Sequence, residues 1–180
     1  MIVGNGVRLR AIEREDIPSF MHWLNDPEVT EFLLISSPLS KVMEEAWFEQ
    51  QAARPPHEGQ VLAIEVLENG EWIRIGNTGL HNVEPVHLTA EFGIFIGEKA
   101  YWNKGYGREA ARLMLKHGFE HLNLNRIYLY VYENNARGIK AYEATGFVRE
   151  GVLREAVYKN GRYLDLIVMS VLHSEWNTKV

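Results

Sequence analysis

The segment Trp102-Asn103-Lys104-Gly105-Tyr106-Gly107-Arg108-Glu109-Ala110 constrains the fold more than any other, because it sets two glycines between a strand-like run and an amphipathic helix. The run before it covers residues 88–96; the helix, expected over residues 107–121, carries Ala110, Ala111, Met114, Leu115 and Phe119 on one face, the spacing of a core-facing helix. A second strand-like run follows at 126–132. Strand, helix and strand in this order imply two parallel strands joined by one right-handed crossover. Gly105 and Gly107 can take φ > 0 and admit a ligand close to the main chain, and the first N–H groups of a helix have no partner within it. With the positive end of the helix dipole behind them, those donors suit a phosphate or pyrophosphate.

The remaining elements complete a mixed sheet. Residues 7–12 alternate as a first strand, residues 15–24 open a helix at Glu15-Asp16-Ile17-Pro18, and residues 41–53 form a second helix that stops before Arg54-Pro55-Pro56. Residues 61–68 and 72–82 make a hairpin about Asn69-Gly70, whose residue types favour a tight two-residue turn. Strands over 147–158 and 163–172 close the order. The expected architecture is α/β of the α+β kind. It has one domain over residues 1–180 and a mainly antiparallel sheet of about seven strands flanked by helices.

The glycine spacing alone leaves the ligand open. Gly105-x-Gly107-x-x-Ala110 also fits a dinucleotide-binding fingerprint, and Glu133 stands near the offset at which such proteins place a ribose-binding carboxylate. Against that reading, residues 97–104 separate the strand from Gly105, and residues 134–180 are too few for the second half of a doubly wound sheet. A second motif, Asn135-Ala136-Arg137-Gly138-Ile139-Lys140-Ala141-Tyr142-Glu143-Ala144-Thr145-Gly146-Phe147, reads as a short helix with an Asn cap and a terminal glycine.

With both motifs in place the chain resembles the GNAT superfamily of N-acetyltransferases, whose acyl-CoA turn has the form Q/R-x-x-G-x-G/A and whose next helix carries N-x-x-A/S-x-x-x-Y-x-x-x-G-F. Trp102 departs from the pattern at the Q/R position, which bears on side-chain contacts and leaves the main-chain cradle intact. The resemblance runs from Val7-Arg8-Leu9-Arg10 to Gly161-Arg162-Tyr163-Leu164-Asp165 and is nearest the RimJ/RimL-type enzymes. Ala90-Glu91-Phe92, Asn123 to Tyr128 and Asn160 to Tyr163 are similar to bacterial spermidine N-acetyltransferases.

The resemblance implies transfer of an acetyl group from acetyl-CoA to a primary amine by direct attack. It implies that the fourth and fifth strands splay apart and that the pantetheine arm pairs with the fourth strand, here residues 93–97. Main-chain N–H groups near Phe95 and Ile96 would polarise the thioester. Trp102, Asn103, Lys104, Gly105, Tyr106, Gly107 and Arg108 would hold the phosphates, with Asn135, Arg137 and Lys140 contributing from the next helix. Tyr142, protonated at neutral pH with an ordinary pKa near ~10, would donate to the leaving thiolate. Glu91 is the first choice of base, with Glu31 and His81 as further acceptor contacts. The acceptor is expected to be a polyamine, another small-molecule amine or a protein N-terminus. Two alternatives stay open: an NAD(P)-binding oxidoreductase and a catalytically silent acyl-CoA-binding module.

Composition narrows the classes. No cysteine occurs, which removes disulfides, thiolate metal sites and an acyl-cysteine intermediate. A net charge of −5 argues against nucleic acid and for a cationic substrate. No apolar run of about 20 residues and no secretory signal pattern is present, so a cytoplasmic protein away from membranes is expected. Exposed strands and several aromatics make a homodimer reasonable. His117-Gly118-Phe119-Glu120-His121 matches a zinc-peptidase pattern but lacks a third ligand at useful spacing, so no metal is expected.

Overall fold

A computed structural model describes residues 1–35 and 38–176. Its organising element is one eight-stranded sheet of order β1-β2-β3-β4-β5-β6-β8-β7. The strands are β1 (Ile2–Val3), β2 (Val7–Ala11), β3 (Gln60–Glu68), β4 (Glu71–Glu84), β5 (Thr89–Ile96), β6 (Arg126–Tyr132), β7 (Val148–Lys159) and β8 (Arg162–Leu172). All neighbours are antiparallel except β5 and β6, which are parallel and joined through the helix that starts at Tyr106. The β3–β4 turn has Asn69 at φ 51° and Gly70 at φ 85°, both left-handed as a primed hairpin turn requires.

The helices are α1 (Ile17–Leu24), α2 (Pro27–Thr30), α3 (Lys41–Ala53), α4 (Tyr106–Lys116), α5 (Ala136–Ala144) and α6 (His173–Trp176). The main core lies between one sheet face and α4. Leu80, Ala90, Phe92, Ile127, Leu129 and Met169 meet Ala110, Ala111, Met114, Leu115 and Phe119 there, each nearly sealed from solvent. At about 25 cal/mol per Å² of apolar surface, such burial is the main stabilising term.

Three expectations change. Eight strands replace seven, because the two-residue β1 pairs Ile2 with Leu9 and Val3 with Arg8 and is too short to register as an alternation. The long helix ends at Lys116, and His117–His121 form a π-helical turn. Gly118 sits in that turn, where an added Cβ would come within 2.5 Å of Ile127 Cδ1; the glycine lets the widened turn press onto β6. The two histidines of the turn face each other at 5.5 Å, and among the described residues no cluster of three metal-type ligands occurs. The third difference is α2, whose start is set by the Asp26 side chain accepting from Glu28 N at 2.9 Å and by Pro27 at the first helical position.

A polar network fastens α1 to the opposite sheet face. The Asp16 carboxylate, 1% exposed, accepts from Arg10 at 2.7 and 2.9 Å and from Glu13 N at 2.8 Å, and it pairs with Arg74. Arg10 also binds Glu65 at 2.8 Å, and Glu65 binds Arg8 at 2.5 Å. Burial pushes the Asp16 pKa up, but the Arg10 hydrogen bonds, the Glu13 amide and the charges of Arg10 and Arg74 together hold it below the usual carboxylate value. A depressed pKa means stability that is present above the unfolded-state value near ~3.9 and lost as pH falls through the lower folded-state value. Asp16→Ala leaves two arginines facing an uncompensated buried site and is expected to cost about 3–5 kcal/mol, read by urea denaturation at pH 7. The gap between wild type and variant should close as the wild type is titrated below pH ~4.

Candidate functional site

The ladder between β5 and β6 is short. Only Thr89–Arg126, Ala90–Ile127 and Glu91–Tyr128 pair; beyond that β6 follows β8 along its whole length, while β5 stays with β4 to Ile96. A wedge therefore opens from Phe92 onward. The β4–β5 register is unbroken from His81–Glu91 to Gly76–Ile96, so the two-residue period of the strand decides which main-chain groups face it. Leu88 O accepts from Asn125 and Arg126 on the β6 side, whereas Gly93 O accepts from Thr78 Oγ1 and Gly97 N donates to Ile75 O on β4. Even-numbered residues thus turn their main chain to the wedge. Ile94 and Ile96 present N–H groups there, and Phe95 turns its main chain to β4.

The turn before α4 sits at the open end of the wedge. Asn103 at φ 61° and Gly105 at φ 86° are left-handed, and Gly105 is the N-cap of α4 with no side-chain cap. Its carbonyl accepts from Arg108 N and Glu109 N, each at 3.1 Å, so the preceding amides of Tyr106 and Gly107 have no partner in the helix. A Cβ built on Gly107 meets nothing nearer than Ile96 Cγ1 at 3.9 Å; the space outside it is open.

A cavity of about 370 Å³ joins wedge and turn. Ile94, Phe95 and Ile96 line it from β5, Trp102, Asn103 and Gly105 through Arg108 from the turn, and Asn135, Arg137, Lys140 and Tyr142 from the α5 side. Arg108, Arg137 and Lys140 make it cationic, and none is ion-paired among the described residues. Lys104 lies apart, its Nζ 5.1 Å from the Tyr101 ring centre. Asn135 spends its side-chain oxygen on the α5 cap, accepting from Gly138 N at 2.9 Å, and a Cβ at Gly138 would strike that side chain at 2.6 Å. A cationic, main-chain-lined slot of this length fits the extended, anionic form of an acyl-CoA.

Trp102 takes a role that its place in the motif did not suggest. Its Nε1 donates to Ile96 O at 2.7 Å, and the Arg137 guanidinium lies 4.2 Å over its ring, tying turn, β5 and α5 together. The ring also packs with Phe20, Trp23 and Val29. Trp23 presses on the end of β5 where a Cβ at Gly97 would fall 2.2 Å away, and the seat at Gly93 is taken by His81. At both glycines the room left by the missing Cβ is taken by a side chain of the protein itself.

Tyr142 stands on the α5 wall, edge-on to Phe92 at 6.2 Å and packed on Phe147 at 5.8 Å. Burial pushes its phenol up to about 12, so it remains a proton donor at any working pH. Glu91 lies on the other sheet face, outside the cavity, with its carboxylate accepting from Asn82 Nδ2 at 2.9 Å. His81 is opposite Glu91 across β4 and β5. Glu31 is exposed where α2 ends. Val29, Phe32 and Leu33 close the cavity from the α2 side, and sequence reasoning missed them. The Asp26 cap followed by Pro27 was the signal for the helix that brings them in.

A sheet that parts beside a glycine-capped helix defines a class of protein, the acyltransferases that thread an extended acyl-CoA between two parallel strands. Comparison with known proteins makes the family explicit: the profile described as an acetyltransferase (GNAT) domain matches residues 7–148, and the chain belongs to the GNAT family of acetyl-CoA-dependent N-acetyltransferases. An uncharacterized N-acetyltransferase, p20, of Bacillus licheniformis is 31% identical over 93% of each chain. The spermidine N(1)-acetyltransferase of Vibrio cholerae is 33% identical over 93% of this chain and 94% of its own. Among solved structures, the Vibrio cholerae spermidine N-acetyltransferase in complex with CoA and spermine superposes with a TM-score of 0.88, 28% identity, 97% of this chain and 99% of that one.

Because the Gly107 face opens to the cavity and not to the core, Gly107→Val is expected to keep the wild-type Tm within about 2 °C while filling the cradle. Acetyl-CoA affinity, measured by calorimetry, should fall by about tenfold or more, since the loss of one good charge-assisted contact alone is of that order.

Proposed function

We propose that the acceptor is a polyamine of the spermidine type and that the chain works as a single domain on it. The observation that carries this reading is the match to spermidine N-acetyltransferases over more than nine-tenths of the chain, in sequence and in the structure of one in complex with CoA and spermine. Charge supports it: the chain carries −5 overall, and the acceptor-facing side of the wedge holds Glu91 with the aromatic rings of Phe95 and Tyr128, surfaces that attract ammonium groups.

In this reading acetyl-CoA supplies an activated acetyl carbonyl and a sulfur leaving group. The amides of Tyr106 and Gly107, with Arg108, Arg137 and Lys140, hold the phosphates at the start of α4. The N–H groups of Ile94 and Ile96 face the wedge, fixed by the β4 ladder, and donate to oxygen where negative charge develops. Tyr142 donates its phenolic proton to the departing sulfur from the α5 wall. The amine approaches from the α1–α2 side, where the negative charge of Glu91 attracts it in its ammonium form. Proximity carries much of the rate, because one wedge aligns both substrates.

The test is a panel of spermidine, spermine, peptide N-termini and amino sugars, with CoA release followed by a thiol reagent. Spermidine and spermine are expected to give the highest kcat/KM; a peptide or amino sugar exceeding both by tenfold overturns the polyamine assignment. With the best acceptor, Tyr142→Phe should lower kcat by about 10- to 1000-fold, the range for loss of an acid catalyst, with acetyl-CoA affinity nearly unchanged.

A further inference from the structure

The last rung of the β5–β6 ladder collects titratable groups among which the transfer chemistry above names no proton acceptor. Glu91 pairs with Tyr128 on one side and with His81 on the other, so all three stand on the sheet face that also carries Phe95. The next β4–β5 rung on this face toward the cavity is Gly79–Gly93, a floor without side chains. His81 fills it. A Cβ at Gly79 would come within 3.1 Å of His81 Nε2 and one at Gly93 within 3.2 Å, so the imidazole leaves its own position and leans one rung toward Phe95.

This ring is held by shape. It has no protein hydrogen bond among the described residues, yet neither nitrogen is sealed from solvent in the way that His117 Nε2 is. Burial lowers its pKa below the ordinary imidazole value, Glu91 on β5 pulls it back up, and Arg54 at the end of α3 lowers it further. The ring is therefore neutral at pH 7, with a free lone pair and a carboxylate close enough to stabilise the cation it would become.

We propose that His81 is the group that takes the proton from the acceptor's ammonium, with Glu91 as its charge partner. The inference rests on the amine-acceptor reading above. An acceptor N–H bond breaks, its electron pair stays on nitrogen as the attacking lone pair, and the proton passes to His81 Nε2. The new C–N bond forms as the C–S bond breaks, Tyr142 protonates the departing sulfur, the excess proton on the acylated nitrogen leaves through solvent and restores the Tyr142 phenol, and the imidazolium returns its own proton to solvent. An imidazole suits this step better than a carboxylate because its proton affinity lies nearer neutral pH.

The experiment compares wild type, His81→Gln and Gly93→Ala across pH with spermidine. His81→Gln is expected to lower kcat/KM at pH 7 by about 100-fold, and the deficit should shrink to about threefold by pH 10, where more of the amine arrives uncharged. Acetyl-CoA affinity should stay within twofold of wild type, within measurement scatter for an untouched site. Gly93→Ala crowds the imidazole and should show a smaller deficit with the same pH trend. Independently of turnover, the His81 side-chain resonance of the free enzyme should titrate below pH ~6.5 and shift on adding spermidine alone. A deficit equal at all pH values, no deficit at pH 7, or a His81 midpoint at or above 6.5 overturns the assignment. If wild type fails to acetylate spermidine, the polyamine reading falls; the same pH comparison, run with an amine from the panel that it does acetylate, still decides His81.

Discussion

The early end of the β5–β6 ladder governs the rest of the molecule. Three rungs hold the parallel strands together, and then β6 leaves with β8 while β5 keeps to β4. Buried peptide groups require partners, so a strand that loses its neighbour must find another use for its N–H and C=O groups. Trp102 takes one carbonyl, that of Ile96. The amides that remain turn a break in the sheet into a slot whose donors are fixed before any ligand arrives, which is the preorganisation that acyl transfer draws on.

The wedge also separates two chemistries that would interfere if mixed. On the α4–α5 side lie cations without an ion-pair partner among the described residues, helix-end amides and a high-pKa phenol, groups that donate to anions. On the α1–α2 side lie a carboxylate, an imidazole and aromatic faces, a setting for an ammonium that must lose a proton. Val29, Phe95 and the Trp102 bridge belong to both sides. The Asp16 network matters here because it fixes the start of α1, and α1 carries the Trp23 that packs on Phe95 and Gly97.

Local signals in the chain were strong wherever one short-range rule acted alone. The α3 helix ending before Arg54-Pro55-Pro56, the Asn69-Gly70 turn, the Asn135 cap and the glycine entry to α4 all fall where residue type predicts them, since each depends on neighbours within four positions. Short elements escaped: β1 and α2 carry too few residues for periodicity to emerge from noise. The π turn after Lys116 escaped for another reason. It lies where the main chain at Gly118 closely approaches Ile127, a contact made across the fold. At the site, Phe95 and Ile96 looked equivalent in the chain, whereas strand register gives the wedge the main chain of Ile96 and the side chain of Phe95.

The sequence by itself determined the element order, the sheet-and-helix class, the glycine turn at the start of α4 and the tyrosine on the following helix, because these follow from hydrophobic period and from residues close together in the chain. Tertiary structure decided where β5 and β6 part, that Trp102 bridges to Ile96, that Gly93 and Gly97 seat His81 and Trp23, and that Glu91 stands outside the cavity. Those outcomes depend on register and on contacts between residues far apart in sequence. No local propensity encodes them, because each comes into existence only when the sheet closes around its core.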